Sequence, residues 1–202
     1  MTIICLNGTP IESKANDEMT FDQLVQQINA HQQQDMVVTQ MLIDGIEVDA
    51  EDFSSRRVKR YAHIELYTKS KASLAFDCLG SCYRYINAIV EVNQLIVQSY
   101  QNSELGKANK LFLEMVELSE LFIDLFTKVN HTLKHCFPKT FTKSSASTQV
   151  EATLLNILKQ VYRAKENGDL IMLCDLLEYE LTDNLIQWKQ RVIPELEKLK
   201  DN

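Results

Sequence analysis

The 202-residue sequence predicts an α+β chain, with a small strand-rich domain over residues 1–70 and an up-down four-helix bundle over residues 71–202. Three observations carry this. Up to about Ser70 the apolar residues come in short β-branched runs broken by Asn-Gly and Asp-Gly; from Lys71 onward they recur every three or four positions. Only five glycines and three prolines occur, too few for the turns of an all-β chain. The stretch Asp169 to Leu199 sets Leu170, Leu173, Leu177, Leu181, Leu185, Trp188, Val192, Leu196 and Leu199 along one side of a helix. So long a stripe is not stable in water by itself, so this helix is the element around which the others pack.

In the first domain, Thr2 to Leu6 reads as a strand, Asn7-Gly8 as a hairpin turn and Thr9 to Glu12 as the returning strand. Asn16 to Met19 is a polar connection. Thr20 and Gln23 have capping-box spacing, and Leu24, Val25 and Ile28 give a helix face running to about Gln33. Val37 to Ile43 is a third strand, Asp44-Gly45 a second hairpin turn, Ile46 to Val48 a fourth strand and His63 to Tyr67 a fifth.

This β-β-α-β-β-β order resembles the β-grasp, or ubiquitin-like, fold. The resemblance rests on Thr2–Leu6, the helix from Thr20, and Gln40-Met41-Leu42-Ile43-Asp44-Gly45-Ile46-Glu47-Val48, and covers residues 1–69. No Gly-Gly tail follows the last strand; the chain continues through Thr68-Lys69-Ser70. The resemblance therefore implies a binding module without the family's conjugating or sulfur-carrying chemistry.

In the second domain, residues 71–98 place Leu74, Cys78, Cys82, Ile86, Ile89, Asn93 and Ile96 on one stripe, with Leu79, Tyr83, Val90 and Val97 beside it. Ser103 or a neighbour caps a helix from about Glu104 to Cys136, with the stripe Leu111, Met115, Leu118, Phe122, Leu125, Phe126, Val129 and Leu133. Phe137-Pro138 stops it. Lys139 to Ser147 is polar and small, hence a loop. A third helix, about Thr148 to Glu166, carries Val150, Leu154, Ile157, Leu158 and Val161. Asn167-Gly168 ends it and Asp169 caps the last helix, in which Pro194 marks a kink or stop.

A hydrophobic fraction of 45% with 24% charge is that of a soluble globular protein. The net charge of −7 disfavours broad nucleic-acid binding. No apolar run approaches the ~20 residues of a membrane span. The start, Met-Thr-Ile-Ile-Cys-Leu-Asn-Gly, lacks the basic segment and apolar core of a signal peptide. Five scattered cysteines, an odd number, read as reduced thiols of a cytoplasmic protein, with Cys78, Cys82 and Cys174 buried on apolar faces.

Candidate chemistry is sparse. Cys78/Cys82 and His131/His135 are two i,i+4 pairs on what would be antiparallel helices, so a tetrahedral Cys2His2 zinc site is geometrically open. Both cysteines also sit where small core residues belong, which is the favoured reading, and both histidines suit a helix C-terminus. Glu114, Glu117, Glu120 and Asp124 line one flank of the second long helix and Glu178 and Glu180 lie on the last, in the manner of a solvated acidic face that could meet a basic partner. No Glu-x-x-His pair for a di-iron bundle is present. Arg56-Arg57-Val58-Lys59-Arg60 is a basic cluster between two strands, read as a solvated loop. No phosphate loop, Gly-x-Ser-x-Gly elbow or Cys/His nucleophile spacing occurs. No residue is assigned to catalysis, a cofactor or a metal.

The C-terminal part resembles bacterial flagellin-export chaperones through Arg163-Ala164-Lys165-Glu166-Asn167-Gly168-Asp169, Leu176-Leu177-Glu178 and Trp188-Lys189, over residues 75–200. That resemblance implies a non-enzymatic chaperone or adaptor in flagellar or secretion assembly, wrapping a partner's aggregation-prone helix in an apolar groove. The expected partner is another protein through a helical segment, without nucleic acid or a membrane span and with a homo-oligomer left open. The alternative is a metal-binding or catalytic helical bundle.

Overall fold

The computed structural model describes residues 2–11, 18–31, 35–141 and 145–201. The chain is α+β and divides into two compact units, Met1–Leu74 and Ala75–Asn202.

In the first unit, β1 (Ile3–Leu6) and β2 (Thr9–Pro10) form the expected hairpin. Asn7 and Gly8 hold φ of 51° and 78°, the pair of positive values that a type I′ turn requires. The second strand is shorter than the sequence suggests. It ends at Pro10, although Ile11 N–H still donates to the Ile4 carbonyl at 2.8 Å. Glu12, the connection at Asn16 and Asp17, and the expected helix end at Gln33 lie outside the described residues.

Helix α1 (Phe21–His31) opens on the capping box: Gln23 N–H donates to Thr20 Oγ1 at 3.4 Å and Thr20 N–H to Gln23 Oε1 at 3.1 Å. Strands β3 (Met36–Ile43) and β4 (Ile46–Val48) are joined at Asp44-Gly45, again with two positive φ values, and β5 (His63–Ser70) outruns its expected end.

The described strands form one sheet in the order β2-β1-β5-β3-β4, with β1 and β5 parallel and the other neighbours antiparallel. The register sets Ile4, Ile64 and Ile43 in one row and Leu6, Leu66 and Met41 in the next. With Phe21, Leu24 and Ile28 of α1 these residues make the unit's core. Complete burial of one such side chain is worth about 1.5–3 kcal/mol.

The connection carrying the basic cluster is more ordered than the expected loop. It contains α2 (Ala50–Phe53) and a 3₁₀ turn at Val58–Arg60. Val58 is completely buried, its N–H donates to the Met19 carbonyl at 3.0 Å, and Phe21 N–H donates to the Arg56 carbonyl at 3.1 Å. One apolar residue inside a basic run thus fastens the segment to the start of α1.

The second unit holds α3 (Lys71–Gln101, whose first turn belongs to the first unit), α4 (Leu105–Cys136), α5 (Ser145–Glu166) and a C-terminal helical run from Leu170 to Asp201. The N-cap of α4 is Glu104, the neighbour of Ser103, whose φ of 60° is left-handed. Helix α5 begins earlier than its apolar stripe indicates, and residues 142–144 of the expected loop lie outside the described set. Gly168, at φ 68°, ends α5, and Asp169 Oδ1 accepts from Met172 N–H at 3.0 Å, as the sequence indicates.

The C-terminal run alternates α-helical stretches with π-helical ones at Leu176–Leu181 and Trp188–Val192. Leucines 173, 177, 181 and 185 are spaced by four. In an α-helix of 3.6 residues per turn each such step overshoots by about 40°, so the stripe would wind off its partners. The wider π turns absorb the drift, and all four leucines are buried. The helix also continues through Pro194. The turn before it is already π-helical, with Ile193 N–H donating to the Trp188 carbonyl five residues back; Leu199 beyond it is buried and Leu196 half-buried.

The core of this unit follows the expected stripes with local shifts of one position. On α3 Leu79 is fully buried, whereas Leu74 is exposed. On α4 Phe112 and Ser119 are buried, and the expected Leu111 and Leu118 are half-buried beside them. Among the described residues no helix is long and apolar enough to cross a membrane.

Candidate functional site

Helices α4 and α5 both carry more apolar surface than the core uses. The core face of α4 is Phe112, Met115, Phe122, Phe126, Val129 and Leu133, and that of α5 is Val150, Leu154, Ile157, Val161 and Ala164. One position around each helix lies a second strip, Val116 and Ile123 on α4 and Leu155, Leu158 and Tyr162 on α5. Leu155 and Tyr162 are 53% and 60% exposed.

The two strips border a shared groove. One recess, of about 230 Å³, lies between Phe112, Val116 and Ile123 on one side and Leu158, Val161 and Tyr162 on the other. A second, of about 280 Å³, lies between Phe122, Phe126 and Asn130 on α4 and Glu151, Leu154 and Leu155 on α5, with Trp188 contributing from the C-terminal run. Early α4 residues face late α5 residues and the reverse, so the helices bordering the groove are antiparallel.

Trp188 is held firmly at the second recess. Phe122 and Phe126 meet it edge to face, with ring centroids 5.1 Å and 4.6 Å away. Its indole N–H donates to Asn184 Oδ1 at 3.1 Å, and Asn184 Nδ2 donates to the Val150 carbonyl at 3.1 Å. That relay joins the C-terminal run to α5 immediately before Glu151.

The polar rim is mixed. Glu120 borders the groove on α4, while Lys159, Arg163 and Glu166 lie along the outer face of α5. The Tyr162 hydroxyl donates to Glu166 Oε1 at 2.7 Å; this hydrogen bond, then the carboxylate's charge, raises the tyrosine pKa. Toward the end of α5, Lys165 Nζ donates to Tyr100 Oη at 2.6 Å and to Asn109 Oδ1 at 2.5 Å and stands 5.1 Å from the Phe112 ring centroid. It fastens α5 to α3 and α4.

The residues singled out from sequence mostly fall elsewhere. Cys82 is buried and Cys78 half-buried on α3, while His131 and His135 are exposed on α4. Among the described residues no three His, Cys, Asp or Glu side chains are grouped to hold a metal ion. Cys78 and Cys174, both expected to be buried, are half-buried. Glu114, Glu117, Glu120, Asp124, Glu178 and Glu180 are exposed, and Asp124 takes Lys128 at 2.7 Å. In the basic cluster, the Arg56 guanidinium lies 4.1 Å from the Phe53 ring centroid. Leu155 and Tyr162 escape the sequence reading because it follows only the strongest stripe; their offset of one position from Leu154 and Val161 is the available signal.

A family model described as a domain of unknown function (DUF8042) matches residues 77–191, more than half of the chain. No curated protein and no solved structure matches the chain.

Proposed function

We propose that this chain, which belongs to the DUF8042 family, is a non-enzymatic protein-interaction module that takes an amphipathic helix of a partner protein into the α4–α5 groove. The observation that carries this reading is the exposed pair Leu155 and Tyr162, in line with Leu158 and opposite Val116 and Ile123. Continuous apolar surface between two helices suits a third helix with anchors at i, i+3, i+4 and i+7.

Charge narrows the occupant. Glu120 is exposed where it borders the groove on α4 and the chain carries −7 overall, so the partner helix presents Lys or Arg along the edge that meets α4. The resemblance to flagellin-export chaperones supports a chaperone or adaptor role, and five free cysteines support a cytoplasmic setting. The parallel pairing of first and last strands, with a helix after the first hairpin, supports a β-grasp-like N-terminal unit. The four long helical runs support an up-down four-helix bundle.

The test places a photo-crosslinking residue at position 155 or 162 of the full chain and maps the captured segment. That segment is then made as a peptide and its Kd measured against the native chain and the Leu155→Asp/Tyr162→Asp variant. The expected result is an amphipathic helical segment whose affinity falls at least tenfold in the variant. Equal affinity for both proteins, or a segment without helical amphipathicity, would overturn the reading.

A further inference from the structure

The recess beside Trp188 differs from the rest of the groove. Its walls are apolar, chiefly Phe122, Phe126, Leu154 and the Trp188 ring, but Asn130 and Glu151 enter from opposite sides. At about 280 Å³ it is smaller than the pockets that enclose drug-sized ligands and suits a single long side chain. Apolar walls with a carboxylate and a side-chain amide in the lining call for a side chain with an aliphatic stem and a cationic donor head.

We infer that this recess is the anchor pocket for one arginine of the partner helix. The statement rests on the groove reading above and adds the identity of the anchor. The arginine's methylenes lie against Leu154 and the aromatic walls. Its planar guanidinium donates to the Glu151 carboxylate and the Asn130 amide oxygen, with the aromatic rings close enough for cation–π attraction. Arginine is preferred to lysine because its donors form a fan that reaches two acceptors at once, whereas an ammonium is a more strongly hydrated point charge. The Asn184 relay fixes the Trp188 wall, so the pocket exists before the partner arrives.

Trp188 is the sole tryptophan, so its emission reports occupancy of this recess directly. The experiment uses the full chain and a helical peptide with leucines at i, i+4 and i+7 and lysines along one edge. An arginine is placed in turn at four successive positions, and matched peptides carry citrulline, lysine or norleucine instead. The expected result is one register in which the arginine peptide shifts Trp188 emission and binds at least tenfold tighter than the citrulline peptide. In Glu151→Gln that ratio falls to near one.

Equal binding of arginine and citrulline in every register, or tightest binding by norleucine, overturns the arginine pocket and leaves the groove standing. A ratio that survives Glu151→Gln overturns it equally, because the carboxylate is then not the partner of the cation. Failure of every peptide to bind, with Trp188 emission unmoved, overturns the groove reading and the pocket with it.

Discussion

Asn184 stands between Trp188 and Val150, accepting the indole N–H at 3.1 Å and donating to the carbonyl at 3.1 Å. All three residues are buried, so neither bond has water as a substitute. Asn184→Ala leaves an indole donor and a main-chain acceptor without partners, at about 1–3 kcal/mol for each buried group. The expected outcome is a lower urea midpoint, with Trp188 emission of the folded state altered as the ring loses its tether. An unchanged midpoint and spectrum would show that the relay contributes nothing.

The main-chain carbonyl of Leu177 accepts from Asn93 Nδ2 at 3.3 Å and from the Thr182 hydroxyl at 2.9 Å, within the first π-helical stretch. The Leu177 side chain is itself fully buried. Leu177→Ala therefore removes core volume where the backbone is pinned from two sides and cannot collapse readily. A loss of about 2–5 kcal/mol is expected, from the transfer of the missing atoms and the cavity left behind. Thermal melts of the variant check it; a melting temperature equal to the parent's would mean this face is not core.

The sequence made the helices legible because each buries a broad stripe, and it made both hairpins legible because Asn7-Gly8 and Asp44-Gly45 supply the two positive φ values such turns need. It did not reveal the π stretches. A spacing of four between leucines is ordinary noise in an α-helical pattern, and only the partners across the interface determine that the helix must widen to keep step. Nor did it reveal that Val58 is core, since four basic neighbours hide one apolar residue. The groove was missed for a related reason: Leu155 and Tyr162 resemble scattered surface apolar residues until α4 supplies Val116 and Ile123 opposite them.

The thiols should differ in reactivity. Burial, and then the neighbouring Cys78 thiol, push the Cys82 pKa up from 9.0 to about 12. Burial first, then Asp175 and Glu178, raise that of half-buried Cys174. A raised pKa means that the folded state holds the proton more tightly than the unfolded state. Stability from this group is therefore complete below about pH 9 and is lost as pH rises toward 12. Native alkylation at pH 8 is expected to leave Cys82 unmodified while Cys78 and Cys174 react, with Cys82 joining them only in denaturant. Fast modification of Cys82 in the folded chain would contradict its burial.

The basic cluster separates anchoring from charge at neighbouring positions. Val58→Ala strips two methyl groups from a completely buried side chain. At about 0.8 kcal/mol per buried carbon plus a cavity contribution, it should cost roughly 2–3 kcal/mol. Arg57→Gln and Arg60→Gln change only exposed side chains and are expected to stay within about 0.5 kcal/mol of the parent. Chemical denaturation of the first unit distinguishes the two roles if it is followed by backbone amide signals from β5, because Trp188 lies in the other unit and does not report on it. If the arginine variants were as destabilised as Val58→Ala, the charges would be structural. If Val58→Ala were neutral, the segment would not be fastened through its apolar side chain, and the backbone bonds from Phe21, Asp22 and Val58 N–H to the Arg56, Ser54 and Met19 carbonyls would have to hold it.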